Sequence, residues 1–571
     1  MKKSYLNLLV WVAIGTVLRF TQLELKSPWT DEFSTMVFSL GNSFQTVLLN
    51  DAIPLDLLMQ PLVDRGAGTL DVFRNLLSES NHPPLYFVLA HLWMKLFPKD
   101  GFDLVWVARS LPAILGAASI PAIYALGYVA FRSRLVANLA AAIMALSPYG
   151  IFLSQEARHY TLAILFVIAS LGFVVVAVRR MKERKPFPFW FSLAWIIINC
   201  LGIASHYFFA FTLVAQALVL VVFGILNYRD EAKLNNRKFI LSKFYISNLK
   251  SFVVIIAGTV AGGLVWLPVW QHSYNSELTE WIRNSDRIGW EWVTPIFQGI
   301  AAWITMLSLL PIEVTELPIA IASGVVMLIF FIWVTPILIR GIKMLLLQSN
   351  TKLSTLVLGS FVLTSIASFF TITYLFGIDL TRGARYNFVY FPAVILLAAA
   401  SLAIVVKNQP QINLNKIPKS WLLNSPIPLV LLMGFLSALT VSFNLGYQKY
   451  YRPDLLVSVI QNNSNYPVLI ATTHKTHVQT GEMMGLGWEF KRLSSPKMAR
   501  NPLFLLAEKG SKYSNLPTKT LLNIASKLPR PLDLWLVNFQ AANQVELINC
   551  SASSKSLPFV DGYDYQLYHC R

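Results

Sequence analysis

The sequence predicts a polytopic α-helical membrane protein that carries a small α/β domain at its C-terminal end. Composition is the first reason: of 571 residues, 55% are hydrophobic and 13% charged, with a mean hydropathy of +0.54. Soluble globular chains carry roughly 25% charged residues, so an ordinary soluble enzyme and a disordered protein are both excluded. The second reason is that apolar runs of about 20 residues, the length needed to cross a bilayer as a helix, recur along the chain. The third is a change of character after residue 445. Residues 446–571 hold 14 bases and eight acids and alternate short apolar strands with helical stretches.

Spans are expected near 4–22, 104–131, 135–153, 160–178, 187–208, 209–227, 251–270, 318–339, 353–376, 387–406 and 426–445. Two further segments, 83–97 and 293–310, are apolar but shorter or bounded by proline, which suits re-entrant or interfacial helices. The count is therefore about 11 to 13. Met1-Lys2-Lys3 and the apolar run to Phe20 resemble a signal sequence without a small-x-small cleavage site, so the run is expected to be a retained first helix.

Charge placement sets the expected orientation. With the N-terminus inside, the cytoplasmic pieces 1–3, 132–134, 179–185, 228–250, 340–352 and 407–419 hold 21 Lys/Arg against three acids. The first external loop, 23–103, holds ten acids against five bases, and the stretch 271–317 holds six against two. The net charge of +18 is then a topology signal, and no nucleic-acid partner is needed. The division is a membrane domain over 1–445, including the first external loop, and an extracytoplasmic α/β domain over 446–571.

In that tail, strands are expected at 467–472, 503–507, 532–537 and 563–568, with helices between the earlier ones. Cys550 and Cys570 both lie there, and an oxidising compartment outside the membrane favours a disulfide between them. Cys200 lies mid-helix, as a small apolar filler.

Acids are scarce, so their placement is informative. The first external loop opens with Pro28-Trp29-Thr30-Asp31-Glu32. A carboxylate pair held this close to the membrane suits a general base or a metal ligand; alternatively Thr30 or Asp31 caps the loop's first helix. Next, in Ser154-Gln155-Glu156-Ala157-Arg158-His159-Tyr160, Glu156 is the only acid between residues 104 and 182. A charged cluster in so short a turn at the membrane edge is expensive and points to function, with a structural Glu156–Arg158 pair as the bland account.

Asn81-His82-Pro83-Pro84-Leu85 opens the short helix at 83–97, where prolines suit a helix start but leave His82 unexplained. His206 stands at the external end of another span. Finally, Thr381-Arg382-Gly383-Ala384-Arg385-Tyr386 places two arginines outside, against the positive-inside bias. Their planar forks suit phosphate oxygens, unless they snorkel to lipid headgroups. Arg19 and Arg109, near external span ends, either join this site or snorkel.

At these residues the sequence resembles the GT-C class of integral-membrane glycosyltransferases. It is most similar to the family 39 group, which includes the protein O-mannosyltransferases and the lipid A aminoarabinose transferases. The Asp31-Glu32 pair matches the acidic motif of the first external loop, and His82-Pro83-Pro84-Leu85 matches the His-Pro-Pro-Leu motif. The segment Ser154–Tyr160 is similar to the second-loop motif of bacterial members, and Arg385-Tyr386 matches a late Arg-Tyr pair. The chain departs from the eukaryotic enzymes at Tyr86-Phe87, where they have Gly-Lys, and it has no inserted β-trefoil.

The resemblance implies a bacterial inner-membrane enzyme that takes a sugar from a polyprenyl-phosphate donor, with inversion, to a hydroxyl of a protein, lipid or glycan. Asp31 would be the general base. Glu32, Glu156 and His82 would orient it or hold a divalent ion, for which Asp31 and Glu156 are the candidates. Arg385 and Arg158 would stabilise the phosphate leaving group, and His159, Tyr160, His206, Arg382 and Tyr386 would line the substrate site. The rival classes are a transporter or lipid flippase, which would favour midplane polar groups and inverted repeats, and a membrane scaffold.

Overall fold

A computed structural model describes residues 2–98, 103–234, 243–273, 276–283, 287–408, 425–493, 502–510, 515–542 and 544–571. The chain forms two compact units. One comprises residues Met1–Leu23, Asn81–Tyr86 and Arg109–Tyr447; the other comprises Glu24–Ser80, Phe87–Ala108 and Gln448–Arg571.

The first unit is helical. Among the described residues, six helices are long and apolar enough to cross a membrane: Leu104–Phe131, Tyr160–Lys182, Phe209–Leu226, Ser247–Leu264, Leu317–Leu347 and Ser349–Leu375. Shorter apolar helices of 10–17 residues include Tyr5–Phe20, Phe189–Ser205, Thr294–Leu307, Phe391–Lys407 and Pro426–Ser442. Leu317–Leu347 shows why these helices belong in lipid. Met327, Phe330 and Val334 are buried on one side, while Val325, Leu328, Ile329 and Ile332 are exposed. A helix apolar all round, with half its surface unpacked, is stable only where the surroundings are also apolar.

The expected span at 135–153 is broken by a bend. It is two helices, Arg134–Leu146 and Pro148–Ser154, bent by 57° at the break. Proline keeps the residue before it out of the helical region, and Ser147 is extended, at φ −60° and ψ 119°. Its hydroxyl donates to the Met306 carbonyl (2.7 Å) and accepts from the Gly150 N–H (3.2 Å), capping the second helix. The carbonyls left open at the end of the first helix take their partners from Arg19. Its Nη2 donates to Met144 (2.9 Å), and its Nη1 to Ala145 (3.1 Å) and to Gly15 (2.9 Å). A cation suits a helix C-terminus. Arg19, fully buried, therefore neither snorkels nor reaches the expected site, and Arg109 is likewise buried, donating to the Leu23 carbonyl (2.6 Å).

Without a hydrophobic force between helices in lipid, close approach rests on small residues. A Cβ built on Gly341 would lie 2.6 Å from the Ser401 carbonyl oxygen and 2.7 Å from its Cα, so Leu317–Leu347 meets Phe391–Lys407 backbone to backbone. Gly341→Ala is expected to destabilise this unit by about 1–3 kcal/mol through overpacking, read as a lower thermal midpoint in detergent. An unchanged midpoint would show that the two helices separate freely. Cys200 packs against Gly262 in the same manner.

The second unit is built on a six-stranded sheet of order β1-β3-β2-β4-β6-β5. The strands are β1 (Ala52–Pro54), β2 (Val468–His474), β3 (Leu503–Glu508), β4 (Leu532–Val537), β5 (Cys550–Ala552) and β6 (Tyr565–Cys570). β3, β2 and β4 are parallel, and the others pair antiparallel. Central parallel strands are buried on both faces, which is why they read as continuous apolar runs. The four expected tail strands lie within two or three residues of β2, β3, β4 and β6, and Cys550 is disulfide-bonded to Cys570 across β5 and β6.

The sequence division placed the first loop with the membrane domain. In the structure β1, from that loop, pairs with β3, Ala52 opposite Leu505, and residues 24–80 group with the tail.

Asp533 interrupts the apolar run of β4 and is fully buried. Its carboxylate accepts from the Asn465 and Tyr466 backbone N–H groups (2.7 and 3.0 Å), and its other oxygen meets His569 Nδ1 at 2.7 Å. Asp533→Ala leaves those partners unpaired and is expected to cost this unit about 3 kcal/mol, visible as faster proteolysis of the tail. Wild-type resistance would contradict it.

Candidate functional site

Each unit carries part of the residues singled out by sequence. In the membrane unit, the short helix Pro148–Ser154 ends at Gln155, whose side-chain amide donates to the Thr21 and Leu18 carbonyls (3.0 and 3.3 Å). This fixes the turn Gln155–His159 against the end of the first helix. All five residues of the turn are buried, and Tyr160 after them begins the next helix. Glu156 and Arg158 are 2% and 1% exposed, which rules out a solvated charged face for the turn.

Arg158 Nη2 lies 2.8 Å from His82 Nε2. Because a guanidinium only donates, Nε2 is the acceptor and the His82 ring proton sits on Nδ1. The short helix of this motif is Leu85–Met94, so Pro83 and Pro84 precede it rather than form its first turn.

The His159 ring lies 5.3 Å from the His82 ring, 4.5 Å from His206 and 4.9 Å, stacked, from Tyr160. His206 caps the helix Phe189–Ser205 and lies 6.3 Å from the Tyr386 ring. Burial above all, then the neighbouring imidazoles and guanidinium groups, holds His159 and His206, both in connecting segments, well below the usual histidine range. These imidazoles are therefore neutral hydrogen-bonding groups, and the positive charge belongs to the arginines.

Arg385 lies in the 3-10 segment Ala384–Val389. The Tyr149 hydroxyl donates to the Arg385 carbonyl (2.9 Å), and Asn387 Nδ2 donates to that of Ala384 (2.8 Å). The guanidinium lies over the Trp281 and Tyr386 rings, 5.5 and 5.8 Å from their centroids. Arg382 is differently placed: its Nε is 3.7 Å from Asp379, and its Nη1 donates to the Trp281 carbonyl (2.6 Å). Asp379 also pairs with Arg287 at 3.4 Å. Arg382 thus belongs to a latch that joins Asp379 to Trp281 and Arg287, whereas Arg385 faces aromatic rings. Trp281, Arg287 and Asp379 gave no signal in the sequence, because each acts by pairing with a distant segment.

Asp31 and Glu32 belong to the other unit, in the first turn of the helix Thr30–Ser39. The N-cap is Trp29, and it makes no side-chain cap bond, so neither Thr30 nor Asp31 caps the helix. Both acids instead sit where the helix dipole favours negative charge. Glu32 is buried and Asp31 half-buried.

The helix His477–Arg492 packs against Thr30–Ser39. A Cβ on Gly481 would come within 2.7 Å of Thr30 Cγ2, so only glycine permits the approach. His477 stacks on Phe44 at 5.0 Å. Burial pushes its pKa down to about 4, partly opposed by the nearby Asp31 carboxylate. His477 is absent from the sequence-based site; its one local signal is the capping box Thr476-x-x-Gln479 just ahead of it.

Among the described residues, no group of three His, Cys, Asp or Glu comes together as a metal site. Asp31 and Glu156, the two metal candidates, fall in different units. No step is routed through a metal ion.

No protein-family model and no curated protein matches the chain. Among solved structures, it is similar to ArnT from Cupriavidus metallidurans bound to undecaprenyl phosphate, at 13% identity and a TM-score of 0.47, over 98% of this chain and 97% of that one. It is also similar to the oligosaccharyltransferase of Archaeoglobus fulgidus, at 11% identity and a TM-score of 0.46, over 94% of this chain and 69% of that one.

Proposed function

We propose that the chain is an inverting glycosyltransferase that moves a sugar from a polyprenyl-phosphate carrier to an acceptor hydroxyl on the extracytoplasmic side of a bacterial inner membrane. The observation that carries this reading is the assembly in the membrane unit of four polar motifs far apart in sequence: His82, the turn Glu156–Tyr160, His206 and Arg385–Tyr386. Polar and ionisable groups buried together at the ends of apolar helices are costly unless they serve a ligand.

The acceptor oxygen attacks the anomeric carbon, and the bond from that carbon to the phosphate oxygen breaks. A carboxylate takes the hydroxyl proton, the role that the resemblance gives to Asp31. Polyprenyl phosphate leaves with the bonding electron pair, and one displacement inverts the carbon. Arg385 and Arg158 stabilise the departing phosphate by charge-assisted hydrogen bonds, which act on charge that grows in the transition state. Neutral His159, Tyr160, His206 and Tyr386 present ring faces and hydrogen-bonding groups to the sugar.

A carrier lipid is required because nucleotide sugars are confined to the cytoplasm. Orientation follows from charge, with the N-terminus inside and residues 446–571 outside. The test is incubation of membranes containing the chain with a panel of radiolabelled polyprenyl-phosphate sugars. Turnover of at least one donor is expected, and turnover of none would overturn the reading.

A further inference from the structure

We propose that the segment Ile288–Trp292 is a lipid-docking surface, seated where headgroups meet acyl chains, and that it steadies the aromatic shelf on which Arg385 lies. By sequence, residues 271–317 read as an acid-bearing external stretch, and Gly289–Trp292 is a 3-10 turn of four residues. Yet Ile288 and Trp290 are 80% and 82% exposed, and Trp292 is 53% exposed. Large apolar side chains turned outward together mark an interaction surface.

The neighbouring surface identifies the occupant. Ile296 and Phe297, in the helix Thr294–Leu307 that follows, are also exposed. On the other side Trp292 touches Tyr374, near the end of the apolar helix Ser349–Leu375, where Leu375 and Phe376 are exposed as well. The patch is therefore continuous with surface that faces lipid. Charge stands within the same turn: Glu291 accepts from the Ile288 N–H at 3.4 Å. Indoles beside a charged group suit the membrane–water boundary, where tryptophan is enriched because its ring joins an apolar body to a polar N–H.

Contacts tie the turn to the latch. The Trp292 and Tyr374 rings stack, with centroids 6.0 Å apart and planes 4° apart, and the Tyr374 hydroxyl donates to the Trp292 carbonyl (2.7 Å). Trp292 Nε1 donates to the Arg287 carbonyl (3.0 Å). The Arg287 guanidinium lies 5.1 Å from the centre of the same Tyr374 ring and pairs with Asp379. Asp379 engages Arg382, which holds the Trp281 carbonyl, and the Arg385 guanidinium lies over the Trp281 ring.

An interfacial segment binds lipid in proportion to the apolar area it buries there. Seating Ile288 and Trp290 in the leaflet thus fixes Trp292, and through it Tyr374, Asp379 and Trp281. A carrier phosphate then meets an arginine already in place. This last step rests on the reading of Arg385 as a phosphate residue; the docking itself does not.

Docking is tested on purified Cys200→Ser protein in phosphatidylcholine liposomes, with an environment-sensitive fluorophore on Ile288→Cys. Leu328→Cys, on a membrane-crossing helix, and Lys555→Cys, on the tail, are the lipid and water references; both residues are exposed. The label at 288 is expected to be quenched by lipids brominated near the headgroup end of their chains. It is also expected to be shielded from aqueous iodide relative to Lys555→Cys. Iodide quenching equal to that of Lys555→Cys would overturn docking. Shielding from both quenchers would put protein in the lipid's place and overturn it equally.

The coupling is tested by titrating Trp290→Ser with polyprenyl phosphate in the same liposomes. Affinity is expected to fall severalfold at an unchanged thermal midpoint in detergent, and Trp290→Phe to recover most of the loss. Wild-type affinity in Trp290→Ser would overturn the coupling. A wild-type protein that binds no polyprenyl phosphate would remove the glycosyltransferase reading and the coupling with it, and the quenching result would decide docking independently.

Discussion

Asp31→Asn is expected to abolish sugar transfer while leaving expression, membrane insertion and the thermal midpoint intact. The amide is nearly isosteric with the carboxylate and stays in the first turn of Thr30–Ser39, so the approach of Thr30 to Gly481 and of Phe33 to Gly485 survives. What disappears is a group able to take the acceptor's proton. A positioned base contributes on the order of 10²–10⁴-fold, so kcat should fall by that factor with little change in the KM for the donor. The check is initial-rate transfer from the best donor of the panel, with quantitative blotting of the inserted protein. Retained turnover would remove Asp31 from the mechanism. Glu32, buried one residue on, would then be the next acid to replace.

Arg385→Ala is expected to weaken binding of a polyprenyl-phosphate donor much more than Arg385→Lys. Hydrogen bonds to charged groups are worth about 1.5–3 kcal/mol, so the alanine variant should bind about 10- to 100-fold more weakly. Lysine keeps the charge but loses the planar fork and the face that lies over Trp281 and Tyr386, and should fall between the two. Titration of the purified protein with polyprenyl phosphate measures this directly. Equal affinities for the two variants would argue against a bidentate contact. Arg382→Ala is the built-in comparison: its guanidinium is already engaged by Asp379 and the Trp281 carbonyl, so it should loosen the hold on Trp281 before it touches phosphate affinity.

Much of the molecule was legible because a bilayer reduces the problem to length and charge. Apolar runs of span length became helices, and the tail's apolar strands became β2, β3, β4 and β6 because central parallel strands tolerate few polar residues. Where the reading went wrong, a local signal was outvoted by apolar continuity. Ser147-Pro148 breaks the 135–153 run, but the residues on either side are apolar and hid the break. β1 was missed for the opposite reason: three residues ending in proline look like loop, and only the edge of an existing sheet makes Ala52–Pro54 a strand.

The candidate site divides in the same way. Glu156, Arg158, His159, His206 and Arg385 stood out because buried polar side chains among apolar helices are conspicuous. His477 did not, because a histidine in a water-soluble domain is ordinary until its neighbours are known. Phe38 and Phe44 become its neighbours only when two segments far apart in sequence fold together.

The central claim is tested most directly by reconstituting the purified protein in liposomes with a labelled polyprenyl-phosphate sugar and an acceptor, and following three quantities together. The account predicts that label reaches the acceptor, that polyprenyl phosphate is released mole for mole, and that the anomeric configuration of the product is opposite to that of the donor. A donor that crosses the bilayer with its sugar still attached, or a product that retains the donor's configuration, would contradict it.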